Sequence, residues 1–208
     1  MKAKALSLYL TSAFFGAAIS LQANLIDSHG PYYDSPNGGN PLPFGQILVA
    51  SGGDVTLTFL GPTTAIYNDV VLLVSPANSI GTFFANHSTA NGTTIDLGSY
   101  AAGTEIEFGL YVFNTGLTWY NGPGDRNSDG HVHTYMLNNY EGLADTTYIG
   151  FEDLAADAGA DWNYVDDIYA VTGANAVDVP EITFTAGLLG LGLFSLMTVR
   201  KLGHKFSW

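Results

Sequence analysis

Six carboxylates fall within the stretch GFEDLAADAGADWNYVDDIYAV at positions 150–171: Glu152, Asp153, Asp157, Asp161, Asp166 and Asp167. They are interleaved with aromatic and β-branched residues of the kind found at strand ends. Like charge at this density is relieved by protonating some members or by binding a cation, and at neutral pH a hard cation with oxygen ligands is the usual answer. The stretch therefore points to Ca²⁺ held by a β-domain. Neighbouring residues of a strand point to opposite faces, so Asp166 and Asp167 cannot both serve one site. Asp166 is the candidate, because Asp167 shares a face with Tyr169 and Val171. Glu152, Asp153 and Asp161 join it as candidate ligands. The alternative is an exposed acidic loop.

A second oxygen-rich constellation lies at Asp125-Arg126-Asn127-Ser128-Asp129-Gly130. It matches D-x-[DN]-x-[DN]-G, the front half of a calcium loop, in which Asp125, Asn127 and Asp129 would converge and the glycine allows the sharp turn. An EF-hand is excluded, since its twelfth position, which needs a bidentate glutamate, is Met136. What survives is an Asp-rich loop completed by carboxylates from elsewhere, or an Asx-rich turn between strands. His131 and His133 form an H-x-H that could ligate a transition metal, or serve as one loop histidine and one half-buried one. The chain has no cysteine and no G-x-S-x-G. Glu105, Glu107, Glu141 and Glu152 could supply a carboxylate pair for glycoside hydrolysis, but acids are so common here that a pair alone means little. Trp119, Tyr120, Trp162 and Tyr164 could stack on sugars or close the ends of a sandwich.

The elements that position these groups read as strands. Residues 46–50, 54–60, 65–75, 93–97, 105–113, 117–120, 132–137, 146–151 and 166–171 carry strand composition, and no long segment of the domain has helical period. The clearest strand is EIEFGLYVF at 105–113, with Ile106, Phe108, Leu110 and Val112 on one face. Gly52-Gly53 predicts a hairpin joining the first two strands. The fold class expected is all-β: an antiparallel, jelly-roll-like β-sandwich, with a signal helix before it and a transmembrane helix after it.

The 208 residues divide into a signal peptide at 1–23, a β-sandwich domain at 24–173, a linker at 174–183 and a membrane tail at 184–208. Lys2 and Lys4, an apolar run and Ala23 have the order of a secretory signal. Without cysteines, an exported domain relies on its core or on bound metal. All 19 acidic residues lie between Asp27 and Glu181, and Arg126 is the one basic residue outside the two terminal segments. So acidic a domain excludes nucleic acid as a partner, because its binding depends on neutralising phosphates.

Val179-Pro180-Glu181, the apolar FTAGLLGLGLFSLMTV and the basic Arg200 and Lys201 resemble the PEP-CTERM sorting signal of exopolysaccharide-producing bacteria. Ile182 stands where that family prefers proline. The resemblance implies export, an exosortase-type sorting partner, transient anchoring of the C-terminal helix in the inner membrane, and delivery to the envelope, outer surface or extracellular matrix. In addition, residues 103–116, 118–137 and 148–171 resemble, in order, an uncharacterised domain family (a DUF) of exported bacterial proteins, with GFEDL followed by a D-x-D-[FY]-N-D pattern. Asn163 and Val165 replace that pattern's aspartate and asparagine, which removes ligand capacity. The expected function is a non-enzymatic, structural or adhesive β-domain of an exopolysaccharide or biofilm matrix, stabilised by Ca²⁺. The alternative is a carbohydrate-binding or carbohydrate-active module.

Overall fold

The computed structural model describes residues 36–62, 65–76 and 81–179. The signal at 1–23 and the tail with Pro180, Glu181, Arg200 and Lys201 lie outside them. Eleven strands form two antiparallel sheets: β1 (Gln46–Ala50), β2 (Gly53–Gly61), β3 (Asp69–Ser75), β4 (Thr82–Ala85), β5 (Thr94–Tyr100), β6 (Glu105–Val112), β7 (Leu117–Tyr120), β8 (Thr134–Asn138), β9 (Thr146–Phe151), β10 (Asp167–Thr172) and β11 (Ala174–Asp178). One sheet has the order β11-β1-β6-β3-β4, with β7 also on β6, and the other β5-β2-β10-β9-β8. The all-β, two-sheet expectation holds. Among the described residues the helical elements are three single 3₁₀ turns.

One continuous core joins the sheets. Leu48, Val71, Phe84, Ile106, Phe108 and Leu110 of the first pack with Leu57, Phe59, Leu97, Ile149, Phe151, Tyr169 and Val171 of the second. In β6, Ile106, Phe108, Leu110 and Val112 are all buried, as the alternation requires. Burial of each is worth about 1.5–3 kcal/mol, and a one-residue slip would exchange them for Glu105 and Glu107, so the register is strongly specified. Those two glutamates instead face Arg126, at 2.6 and 3.6 Å. The outer face of the second sheet carries a separate apolar layer of Leu60, Tyr140, Tyr148, Ile168 and Ala170.

Two expectations are corrected. β1 and β2 do not form a hairpin: β1 pairs with β11 and β6, and β2 with β10 and β5. The Gly52-Gly53 turn, with φ of 102° and 115°, carries the chain from one sheet to the other, and Ser51 N–H bonds the Gly173 carbonyl rather than closing a two-strand turn. Residues 174–178, expected as linker, are strand β11, in register with all of β1. Its inward residues are Ala174 and Ala176, too small to mark a strand by composition, so the pairing makes it one.

The ends of β3, β9 and β10 position the site. Phe151, the last residue of β9, is paired with Asp167, the first of β10, and Asp69 opens β3 in the opposite sheet. The loop at 161–165 crosses β9 at Gly150, where any side chain would collide with the Tyr164 carbonyl. Only glycine permits that approach.

Candidate metal centre

Glu152, Asp153 and Asp166 each present a carboxylate oxygen within 4.8 Å of the others. Glu152 and Asp153 are 1 % and 3 % exposed. Three of the sequence candidates are thus brought together, by the end of β9 and the entry to β10. Backbone amides aim them: Glu152 Oε1 accepts from Leu154 N–H at 3.2 Å and Oε2 from Trp162 N–H at 2.8 Å. Asp166 Oδ2 accepts from Asp153 N–H at 3.1 Å, which ties the two halves of the site.

The loop between them folds by its own side chains. Asp161 Oδ1 accepts from Asn163 N–H at 3.1 Å, and Asn163 Oδ1 from Val165 N–H at 2.9 Å, giving two successive Asx turns. The residues between, Trp162 and Tyr164, take φ of 55° and 57°. Bulky side chains in this left-handed region cost on the order of 1–3 kcal/mol each. Burial of both rings offsets that cost, together with the Tyr164 hydroxyl, which donates to the Val132 carbonyl at 3.1 Å and accepts from Leu42 N–H at 2.9 Å. Asn163 therefore has a folding role. Asp161 is exposed at the mouth, its carboxylate engaged by Asn163, and its charge acts on all three triad members.

Burial and mutual repulsion raise every carboxyl of the triad. Glu152 is pushed up to about 8, by burial first and then the Asp166 charge. Asp153 rises to about 7, by burial and Asp69, and Asp166 to about 7, by burial and Asp153. Behind them sits a pair absent from the sequence candidates. Asp69, at about 6, and Asp167, raised well above the usual carboxylate range, are both elevated chiefly by burial. Asp167 shares a face with Tyr169 and Val171, as its parity requires, and that face meets Asp69 between the sheets. Parity places Asp69 on the same strand face as buried Val71, but no local pattern shows that this face meets Asp167.

The Asp125 loop does not contribute to the triad. Asp125 is exposed on a 3₁₀ turn. Asn127 is buried, its Oδ1 accepting from Tyr120 N–H and its Nδ2 donating to the carbonyls of His131 and Tyr120. Asp129 accepts from His131 N–H, Ala156 N–H and His133 Nε2. Burial raises the Asp129 carboxyl, but these donors outweigh it and hold it below its ordinary value. The loop is thus joined to the acidic stretch by hydrogen bonds. His133 is closed to a metal: Nδ1 contacts the Glu152 carbonyl at 2.9 Å and Nε2 contacts Asp129 at 3.0 Å, while its ring stacks on Trp119 at 3.8 Å. Both partners are acceptors, so only a doubly protonated ring donates at each nitrogen. Burial opposes that form and lowers the ring below the ordinary histidine range, against the Glu152 carbonyl and Asp129.

The aromatics expected to stack on sugars are mostly interior. Trp119 and Tyr164 are fully buried and Trp162 nearly so; the polar atoms of the first two find backbone partners inside, Trp119 Nε1 donating to the Asp153 carbonyl at 2.8 Å and the Tyr164 hydroxyl to that of Val132. Compared with known proteins, the chain matches no family model, no curated protein and no solved structure.

Proposed function

We propose that this chain is an exported, non-enzymatic, jelly-roll-like β-domain that binds Ca²⁺ at Glu152, Asp153 and Asp166 and serves a structural or adhesive role in an extracellular polysaccharide matrix. One observation carries the cation reading: three carboxylates, two of them buried, converge within 4.8 Å. Oxygens on the shell of an ion at about 2.4 Å lie at most about 4.8 Å apart, so this spacing suits a single Ca²⁺. Each Glu152 oxygen accepts one N–H and keeps a second lone pair for the ion. An all-oxygen set with both histidine nitrogens of His133 engaged favours a hard cation over zinc. Arg126, the one arginine or lysine among the described residues, is occupied by Glu105 and Glu107, so no such side chain neutralises the site.

Export, exosortase-type sorting and the membrane tail rest on the sequence at both ends. The extracellular setting supports calcium, since that ion is abundant where such domains work and a cysteine-free fold gains rigidity from it. The test is thermal denaturation of the purified protein with millimolar Ca²⁺ and with a chelator. Ca²⁺ should raise the melting temperature, and identical melting curves together with no heat of binding would overturn the reading.

A further inference from the structure

β8 and β11 are edge strands of different sheets, and the fold brings the two edges together. Asn138 of β8 clasps them: its Nδ2 donates to the Ala176 carbonyl at 2.9 Å, and its Oδ1 accepts from Ala176 N–H at 2.7 Å. Toward the start of β8 and the end of β11 a groove of about 470 Å³ opens, lined by Leu42, Pro43, Phe44, Tyr135, Met136 and Val179. Its polar members satisfy each other, Gln46 Nε2 donating to Asp178 Oδ1 at 3.0 Å, so what the groove offers an occupant is apolar. Phe44 is 58 % exposed. Open sheet edges beside uncovered apolar side chains are surfaces that proteins usually cover. The chain itself leads into this groove. The pairing of β1 with β11 runs one step past the strand, Val179 N–H donating to the Gly45 carbonyl at 3.3 Å, and Val179 lines the groove. Residues 180–208 follow it, outside the described residues, and open with Pro180-Glu181-Ile182-Thr183.

We propose that residues 180–183 dock in this groove, with the Ile182 side chain against Phe44 and Tyr135, and so strap the exit of β11 across the edges of both sheets. Three residues of extended chain span about 10 Å, which keeps Ile182 within reach of the groove that Val179 already lines. The groove has the volume of a small-ligand pocket, which suits a few side chains of an extended segment rather than a helix. Tethering decides the occupant. A segment joined through so short a link has an effective concentration in the millimolar range, so it outcompetes a free partner or a second copy making equal contacts. Pro180 and Glu181 belong to the sorting signal proposed above, and the strap holds that signal against the folded domain. That consequence rests on the sorting reading, whereas the docking does not.

The test exploits the absence of cysteine from the sequence, which gives thiol chemistry a clean background. Full-length protein carrying Ile182→Cys is solubilised in detergent and treated with N-ethylmaleimide, with Asp157→Cys, at an exposed position, as the reference. The thiol introduced at 182 should react at least about tenfold more slowly than the reference, since only local opening exposes it. Adding Phe44→Asp should restore the reference rate while the urea denaturation curve shows an intact fold, because Phe44 is exposed and its loss empties no core. Equal rates in Ile182→Cys and Asp157→Cys overturn the docking. Protection that survives Phe44→Asp also overturns it, since the detergent micelle and not the groove then covers residue 182. Protection that vanishes on dilution overturns it in favour of a second copy of the chain. Should Phe44→Asp fail to fold, Pro43→Asp, at another exposed position of the groove, takes its place.

Discussion

The loop at 125–130 has the better calcium-loop motif, yet the acidic stretch at 150–171 has the better site. In the first, lone pairs are already used: Asn127 and Asp129 bind backbone amides and His133, and Asp125 faces water. In the second, Glu152, Asp153 and Asp166 converge with lone pairs to spare. The difference teaches that capacity to bind a cation depends on which oxygens the fold leaves unspent. A motif fixes only how many oxygens are nearby.

The comparison is broken most severely by pH. Folded-state carboxyls of the triad lie at about 7 to 8, against ordinary values near 4. Raised acids stabilise the fold fully below their unfolded values, and that contribution is lost as pH rises through the folded ones. Each unit is worth about 1.4 kcal/mol, and because the groups repel one another the sum is not additive. Metal-free protein should lose on the order of 4 kcal/mol between pH of about 4 and about 8 in urea denaturation, and saturating Ca²⁺ should remove most of that loss. A flat metal-free profile would mean that the stretch at 150–171 is as neutralised as the loop at 125–130.

Next in size, Asn127→Ala removes three backbone contacts from a buried position and should cost about 3 kcal/mol by chemical denaturation. The calcium response should survive, since the loop is architecture. Loss of that response would merge the two regions into one site. Free Ca²⁺ at roughly a hundredfold above its dissociation constant should stabilise the protein by about 2.7 kcal/mol. Asp153→Asn should abolish the resulting shift in melting temperature. The smallest effect is expected for Asp125→Ala, within about 0.5 kcal/mol by denaturation and with unchanged Ca²⁺ binding by calorimetry.

Much of the fold was legible because strand alternation is local. Ile106, Phe108, Leu110 and Val112 announce β6, and the bounds of β1, β7 and β9 match their composition. Strands whose evidence is non-local were missed or misplaced. β11 has only alanines facing inward and exists through β1, and β4 is four residues long. Within the site, Glu152, Asp153 and Asp166 could be named from the density of carboxylates in their stretch, and parity chose Asp166 over Asp167. Asn86 and Asp69 could not, because they lie far from the stretch in sequence and meet it only across the sandwich.

By itself, the sequence determined a cysteine-free, strongly acidic all-β domain with carboxylates concentrated at 150–171, since composition and period-two patterning are properties of neighbours. Tertiary structure decided which carboxylates meet. Packing one sheet on the other turned Asp69 and Asp167 face to face, while hydrogen bonds took Asn127 and Asp129 out of contention. That outcome depends on contacts between residues remote in sequence, and no local pattern encodes it.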